Sequence, residues 1–119
     1  MSAAEDILNE FIRLGGVVAG LIVDSQGKIL NSVIENFSSA DLNDIGLLAS
    51  KGLKSAEIMG QQLSKGVVTH SVIEYVDNVI AMEPVSEDKI LVIIATKGAN
   101  LGRIRYEVRK QKKALGAAI

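Results

Sequence analysis

Ile90-Leu91-Val92-Ile93-Ile94-Ala95 is the most apolar run in the chain, and Val17-Val18-Ala19-Gly20-Leu21-Ile22-Val23 is its nearest rival. Neither alternates with polar residues, so each predicts a strand buried on both faces in the middle of a sheet. Asp24-Ser25-Gln26-Gly27 is a turn cluster that leads from the second of these runs into another strand, Lys28 to Glu35. Asn31, Ser32 and Glu35 make that strand less apolar and suit it to an edge. Upstream of Ile90, Ser86-Glu87-Asp88 turns back to a strand over Val79–Val85, in which Pro84 is tolerable because it lies at the end. Asp77-Asn78 predicts a two-residue hairpin turn back to a third strand, Val67–Val76.

Three helices complete the pattern. Ser2 and Glu5 have capping-box spacing, and Ile7, Phe11 and Leu14 share one face, which predicts a helix over residues 3–14 stopped by Gly15-Gly16. Residues 36–40 predict a loop, with Ser38 or Ser39 as N-cap of a long helix over 41–64. The stripe of that helix is Leu42, Ile45, Ala49, Gly52, Ala56, Met59 and Leu63. Leu101, Ile104, Val108, Leu115 and Ile119 mark a terminal helix capped by Asn100.

The order is helix, two strands, helix, three strands, helix. Hairpin adjacency and the burial of strands one and five predict an antiparallel sheet of order 2-1-5-4-3. The fold class is therefore α+β, a three-layer α/β/α arrangement of topology αββαβββα. The long middle helix must cross one face to carry the chain from strand two to strand three, so that two helices cover one face and one covers the other. One helix is ~10 Å wide while five strands span roughly 19 Å. Part of one face stays bare, and self-association is the natural remedy.

A length of 119 residues suits one domain over 1–119, and 48% hydrophobic with 23% charged residues excludes disorder. Mean hydropathy is +0.28. The absence of cysteine removes disulfides, zinc–thiolate sites and thiol nucleophiles, and a single His70 removes any multi-histidine centre. No metal or other cofactor is expected. No apolar run reaches the ~18 residues that cross a bilayer, and an acidic start is no secretory leader. A cytoplasmic-type domain is expected.

Net charge is −1, with 4 basic and 8 acidic residues in 1–60 against 9 and 6 in 61–119. Most of the basic excess is Arg103, Arg105, Arg109, Lys110, Lys112 and Lys113. These form either a solvated helix face, with the last cations complementing the helix dipole, or a partner- or membrane-facing surface. With a mildly acidic whole and only Phe11, Phe37, Tyr75 and Tyr106 as aromatics, nucleic acid is not the expected partner. Membrane association is expected to be weak at most.

Ala49, Gly52, Ala56 and Gly60 are small residues along the middle helix, where glycine costs ~1 kcal/mol against alanine. Close approach to the chain's own sheet or to a twin helix would compensate. Strand three carries Thr69, His70, Ser71 and Ile73, with no lysine or proline at its centre, and so invites pairing with a second copy. His70 is a structural or interfacial residue rather than a general base, because Ser71 beside it points to the opposite face. Lys97-Gly98-Ala99-Asn100-Leu101-Gly102 joins strand to helix as phosphate loops do, but lacks their Gly-Lys-Ser/Thr ending and predicts a turn with a cap. Nothing here points to an enzyme.

Val18-Ala19-Gly20-Leu21-Ile22-Val23-Asp24 followed by Gly27-Lys28-Ile29-Leu30 resembles the opening hairpin of the roadblock/dynein light-chain family. Pro84-Val85, Lys89 to Ala95, and Asn100-Leu101-Gly102-Arg103-Ile104-Arg105 resemble its closing strand, loop and helix. The likeness is to the prokaryotic stand-alone members. It implies a non-catalytic homodimer with third strands joined into one ten-stranded sheet and middle helices side by side. It also implies a partner, a small Ras-like GTPase that is regulated or scaffolded. Carried over by element, the GTPase-facing candidates are Lys51, Lys54, Ser55, Ile58 and Gln62. No arginine lies between Leu14 and Gly102, so the middle helices hold no arginine finger, which leaves repositioning of the GTPase's own groups, or scaffolding. A structural light-chain-like subunit of a larger complex is the alternative, with weak anionic-surface binding through the basic helix as a third.

Overall fold

The computed structural model describes residues 2–35, 37–38 and 41–119. The element order is α1 (Ala3–Ile12), β1 (Val17–Asp24), β2 (Ile29–Ile34), α2 (Leu42–Gln62), β3 (Ser71–Glu74), β4 (Asn78–Ser86), β5 (Lys89–Thr96) and α3 (Leu101–Ala118). The five strands form one antiparallel sheet of order β2-β1-β5-β4-β3, as their burial demands require.

The period-two alternation of the central strands divides the core. Leu91, Ile93 and Ala95 of β5 join Ile22 of β1 under α1 and α3, with Leu8, Phe11, Ile104, Val108 and Leu115. Ile90, Val92 and Ile94 join Ala19, Leu21 and Val23 under α2, with Leu42, Ala49 and Leu53. Val17 sits on the α1/α3 side although it shares parity with Ala19, because the β1–β5 register shifts between the two.

Local signals behave as expected at the caps. Ser2 Oγ accepts from Glu5 N–H at 3.1 Å while Glu5 Oε1 accepts from Ser2 N–H at 3.3 Å, closing the capping box. Asn100 Oδ1 accepts from Arg103 N–H at 3.1 Å at the start of α3. In the β1–β2 turn, Asp24 Oδ1 accepts from Gln26 and Lys28 N–H, both at 2.9 Å. Gly27 there has φ +88°, and a Cβ on it would stand 2.6 Å from Leu47 Cα of α2.

Several boundaries differ from expectation. Helix α1 ends at Ile12, two residues early, and Gly15 and Gly16 take φ of +80° and +82°. Of the residues predicted to cap α2, Ser39 lies, with Met1, Asn36 and Ala40, outside the described residues. The cap is Asp41, whose N–H donates to the Ser38 carbonyl at 3.3 Å.

The buried face of α2 is Leu42, Gly46, Ala49, Ser50 and Leu53, rotated from the predicted stripe. Gly52, Met59 and Leu63 point outward, the last two 59% and 62% exposed. The rotation follows from Gly46, which lets the helix descend on the hairpin; a Cβ there would meet the Gly27 carbonyl at 2.9 Å.

Strand β3 is four residues long rather than ten. Beyond Ser71, which pairs with Met82, the next ladder positions fall opposite Glu83 and then Pro84, which has no N–H to give. The hairpin loop is Val76-Asp77, one residue earlier than predicted. Tyr75 N–H donates to the Asn78 carbonyl at 2.8 Å, and Asn78 is drawn into β4 by pairing with Thr96 and by donating its side-chain N–H to Ala95 O at 3.3 Å. Helix α3 continues past Lys113 to Ala118, so its last turn carries no cation and the expected dipole complement is absent. Among the described residues, no helix is long and apolar enough to cross a membrane.

Candidate interaction surface

The long helix α2 packs on the sheet through its first half only; after Leu53 none of its described residues is buried. Ile58, Met59 and Leu63 therefore stand in solvent at 48%, 59% and 62% exposure. The strand that follows and its hairpin loop add Val72, Ile73, Tyr75 and Val76 to these exposed apolar side chains. Ten of the thirteen exposed large apolar side chains among the described residues fall between Leu47 and Val76. Scattered single hydrophobes need no explanation, but this concentration marks an interaction surface.

Strand β3 pairs only with β4, so its outer edge offers unpaired backbone groups. Its alternation puts a hollow on each side of that edge. Ile73 and Tyr75 join Ile80, Met82 and, from α2, Ile45, Leu48, Ala49 and Gly52 around an apolar groove of about 180 Å³. On the opposite face His70, Val72 and Glu74 meet Ala81, Leu101, Ile104 and Arg105 around a cleft of about 350 Å³.

The predicted interface residues distribute over this region. Thr69 is exposed, His70 and Ser71 are half-buried, and Ile73 lines the apolar groove beside Ala49 and Gly52. Nothing of the chain lies within 4 Å of where a Gly52 Cβ would be, so only the outer side of the helix has room there. Gly60 differs. A Cβ on it would meet the Gly66 carbonyl at 2.8 Å, so its smallness serves the turn that ends α2. Ala56 is half-buried. Lys51, Lys54, Ser55, Ile58 and Gln62 are all exposed and recur at helical spacing along one stripe.

His70 is tied down. Its Nδ1 lies 3.1 Å from Glu83 Oε1, with the two side chains only 11% and 10% exposed. Lys112 Nζ stands 3.6 Å from the other oxygen, Glu83 Oε2. One carboxylate thus links the segment before β3, strand β4 and helix α3. The imidazole's partner among the described residues is Glu83 and not Ser71. Sequence reasoning passed over Glu83; its signal was a lone acid inside an otherwise apolar strand. It also missed Ser50, buried on α2, whose Oγ donates to the Ser25 carbonyl at 2.6 Å. Among the described residues no group of acids and histidines is arranged to hold a metal ion. The Lys97–Gly102 loop is a turn, with Ala99 N–H donating to Thr96 O at 3.1 Å.

Residues 3–95 match the Roadblock/LC7 domain family. No curated protein matches the chain in sequence. Among solved structures it is similar to the gliding protein MglB of Thermus thermophilus, with TM-score 0.89 and 18% identity over 98% of this chain and 87% of that one. A second MglB structure, described as having a tetrameric arrangement, gives TM-score 0.89 and 18% identity over 97% and 86%. A Roadblock/LC7 domain from Streptomyces avermitilis gives TM-score 0.84 and 14% identity over 92% and 91%. At these identities the likeness is one of fold.

Proposed function

The chain belongs to the Roadblock/LC7 domain family, and from that membership we propose that it acts as a non-catalytic, cytoplasmic homodimer that regulates or scaffolds a small Ras-like GTPase. The domain spans 1–119. The observation that carries this is the apolar surface from Leu47 to Val76, set beside an edge strand with a hollow on each side. A second copy covers the part around β3 by adding its own β3 edge to edge, with Thr69, His70, Ser71 and Ile73 at the seam, and leaves the outer stripe of α2 open. The two α2 helices meet through Ala49, Gly52, Ala56 and Gly60. The description of one MglB as tetrameric supports a self-associating surface in this fold.

The GTPase is met by Lys51, Lys54, Ser55, Ile58 and Gln62, whose exposure leaves them free for it. With no arginine between Leu14 and Gly102, α2 supplies no guanidinium to a transferring phosphoryl group. The action is therefore steric, holding or shifting the partner's own catalytic groups. Light scattering at tens of micromolar is expected to give the mass of a dimer. Immobilised protein is expected to retain a GTPase from its own cell lysate in one nucleotide state more than the other. Retention of partners that ignores added nucleotide would favour a structural subunit instead, and a monomer would overturn the dimer.

A further inference from the structure

Helix α3 lies outside the residues matched by the family, and nothing so far uses its outer face. It holds six of the chain's 13 cations, Arg103, Arg105, Arg109, Lys110, Lys112 and Lys113, and one of its 14 carboxylates. That carboxylate, Glu107, is buried and accepts from Gln111 Nε2 at 2.8 Å. All six cations are exposed, and among the described residues only Lys112 has an acidic partner. At ~100° per residue Arg103, Arg109, Lys110 and Lys113 fan over the half of the helix opposite Ile104, Val108 and Leu115, while Arg105 and Lys112 flank the buried stripe. Tyr106, 67% exposed, sits amid them as the single large apolar side chain exposed on the helix.

A protein partner would need apolar anchors at the centre of its footprint, and one ring supplies too little. A nucleic acid bent around the domain would meet the thirteen carboxylates carried elsewhere. A flat anionic layer meets the outer face of α3 along its length, with only α1 beside it in the same layer. We propose that the outer face of α3 docks on an anionic lipid bilayer, with Arg103, Arg109, Lys110 and Lys113 on headgroup phosphates and Tyr106 at headgroup depth. Helix α1 packs on α3 as well as on β1 and β2, so its acids Glu5, Asp6 and Glu10 border the same layer and oppose docking, but the six cations of α3 outnumber them, and α3 also packs on β4, beside the edge strand. Sheet continuation through β3 would bring a second α3 to the same side, but the inference stands on one copy.

The test is co-sedimentation with phosphatidylcholine vesicles, with and without phosphatidylserine, at about 0.1 M salt. Pelleting is expected only with phosphatidylserine, and high salt should release the protein. Changing Arg109→Gln, Lys110→Gln and Lys113→Gln together should weaken partitioning on the order of 100-fold, with helical content by circular dichroism unchanged. Equal binding to both vesicle types, no pelleting, or an unaffected triple variant overturns the proposal. So does preference for a DNA duplex offered in competition. A monomer that still pellets keeps this inference and counts only against the dimer.

Discussion

At the scale of single residues, two positions hold more of the fold than their size implies. Gly27 combines a left-handed backbone with a close approach of α2 to the β1–β2 turn. A side chain there meets both objections at once. Gly27→Ala is expected to cost at least the ~1–3 kcal/mol of a non-glycine residue held at positive φ. Urea denaturation measures it, and a midpoint equal to that of the unchanged protein would mean the hairpin and helix separate freely. Glu83 is the second position. Removing its carboxylate leaves a half-buried imidazole without its acceptor, beside the Lys112 ammonium. Glu83→Ala is expected to lose roughly 1–3 kcal/mol, whereas Lys112→Ala, cutting a longer and more exposed contact, should lose under about 1 kcal/mol. Equal losses would show that the ammonium rather than the imidazole is the carboxylate's main partner.

At the scale of elements, β3 is the weak member and the informative one. It has four residues, one neighbour and two open grooves. Nothing within the chain opposes a charge on its outer apolar positions, since Ile73 is 39% exposed and faces a groove rather than a core. Ile73→Lys is therefore expected to leave the far-ultraviolet circular dichroism unchanged while converting a dimer to a monomer in light scattering. Edge lysines prevent strand addition in this way. A variant that stays dimeric would move the seam away from β3. Helix α2 divides likewise: its first half is an ordinary packed helix, and its second half has no buried residue and exposes Ile58 and Met59.

At the scale of the whole molecule, stability and assembly are linked. In the proposed dimer, part of the surface from Leu47 to Val76 that is bare in one copy would be buried, and the native state would gain free energy by mass action. The thermal midpoint should rise with protein concentration over a hundredfold range in calorimetry. A midpoint that stays constant would mean the folded unit is complete by itself.

What the amino-acid order alone determined was whatever depends on neighbours in the chain. Two runs apolar on both faces, at 17–23 and 90–95, had to be central strands, and hairpin turns then left only the order 2-1-5-4-3. Ser2 with Glu5 and Asn100 with the Arg103 amide were readable because a cap bonds three residues away. Contacts between distant segments decided the rest. The face α2 buries was set by Gly27 meeting Gly46, nineteen positions apart, and periodicity allows several faces when a helix is apolar around much of its circumference. The end of β3 was set by what lies across the ladder, at Glu83 and Pro84, and the partner of His70 by the same pairing. Helical and extended periods are properties of a segment, whereas register, rotation and pairing are properties of two segments that meet only once the chain has folded.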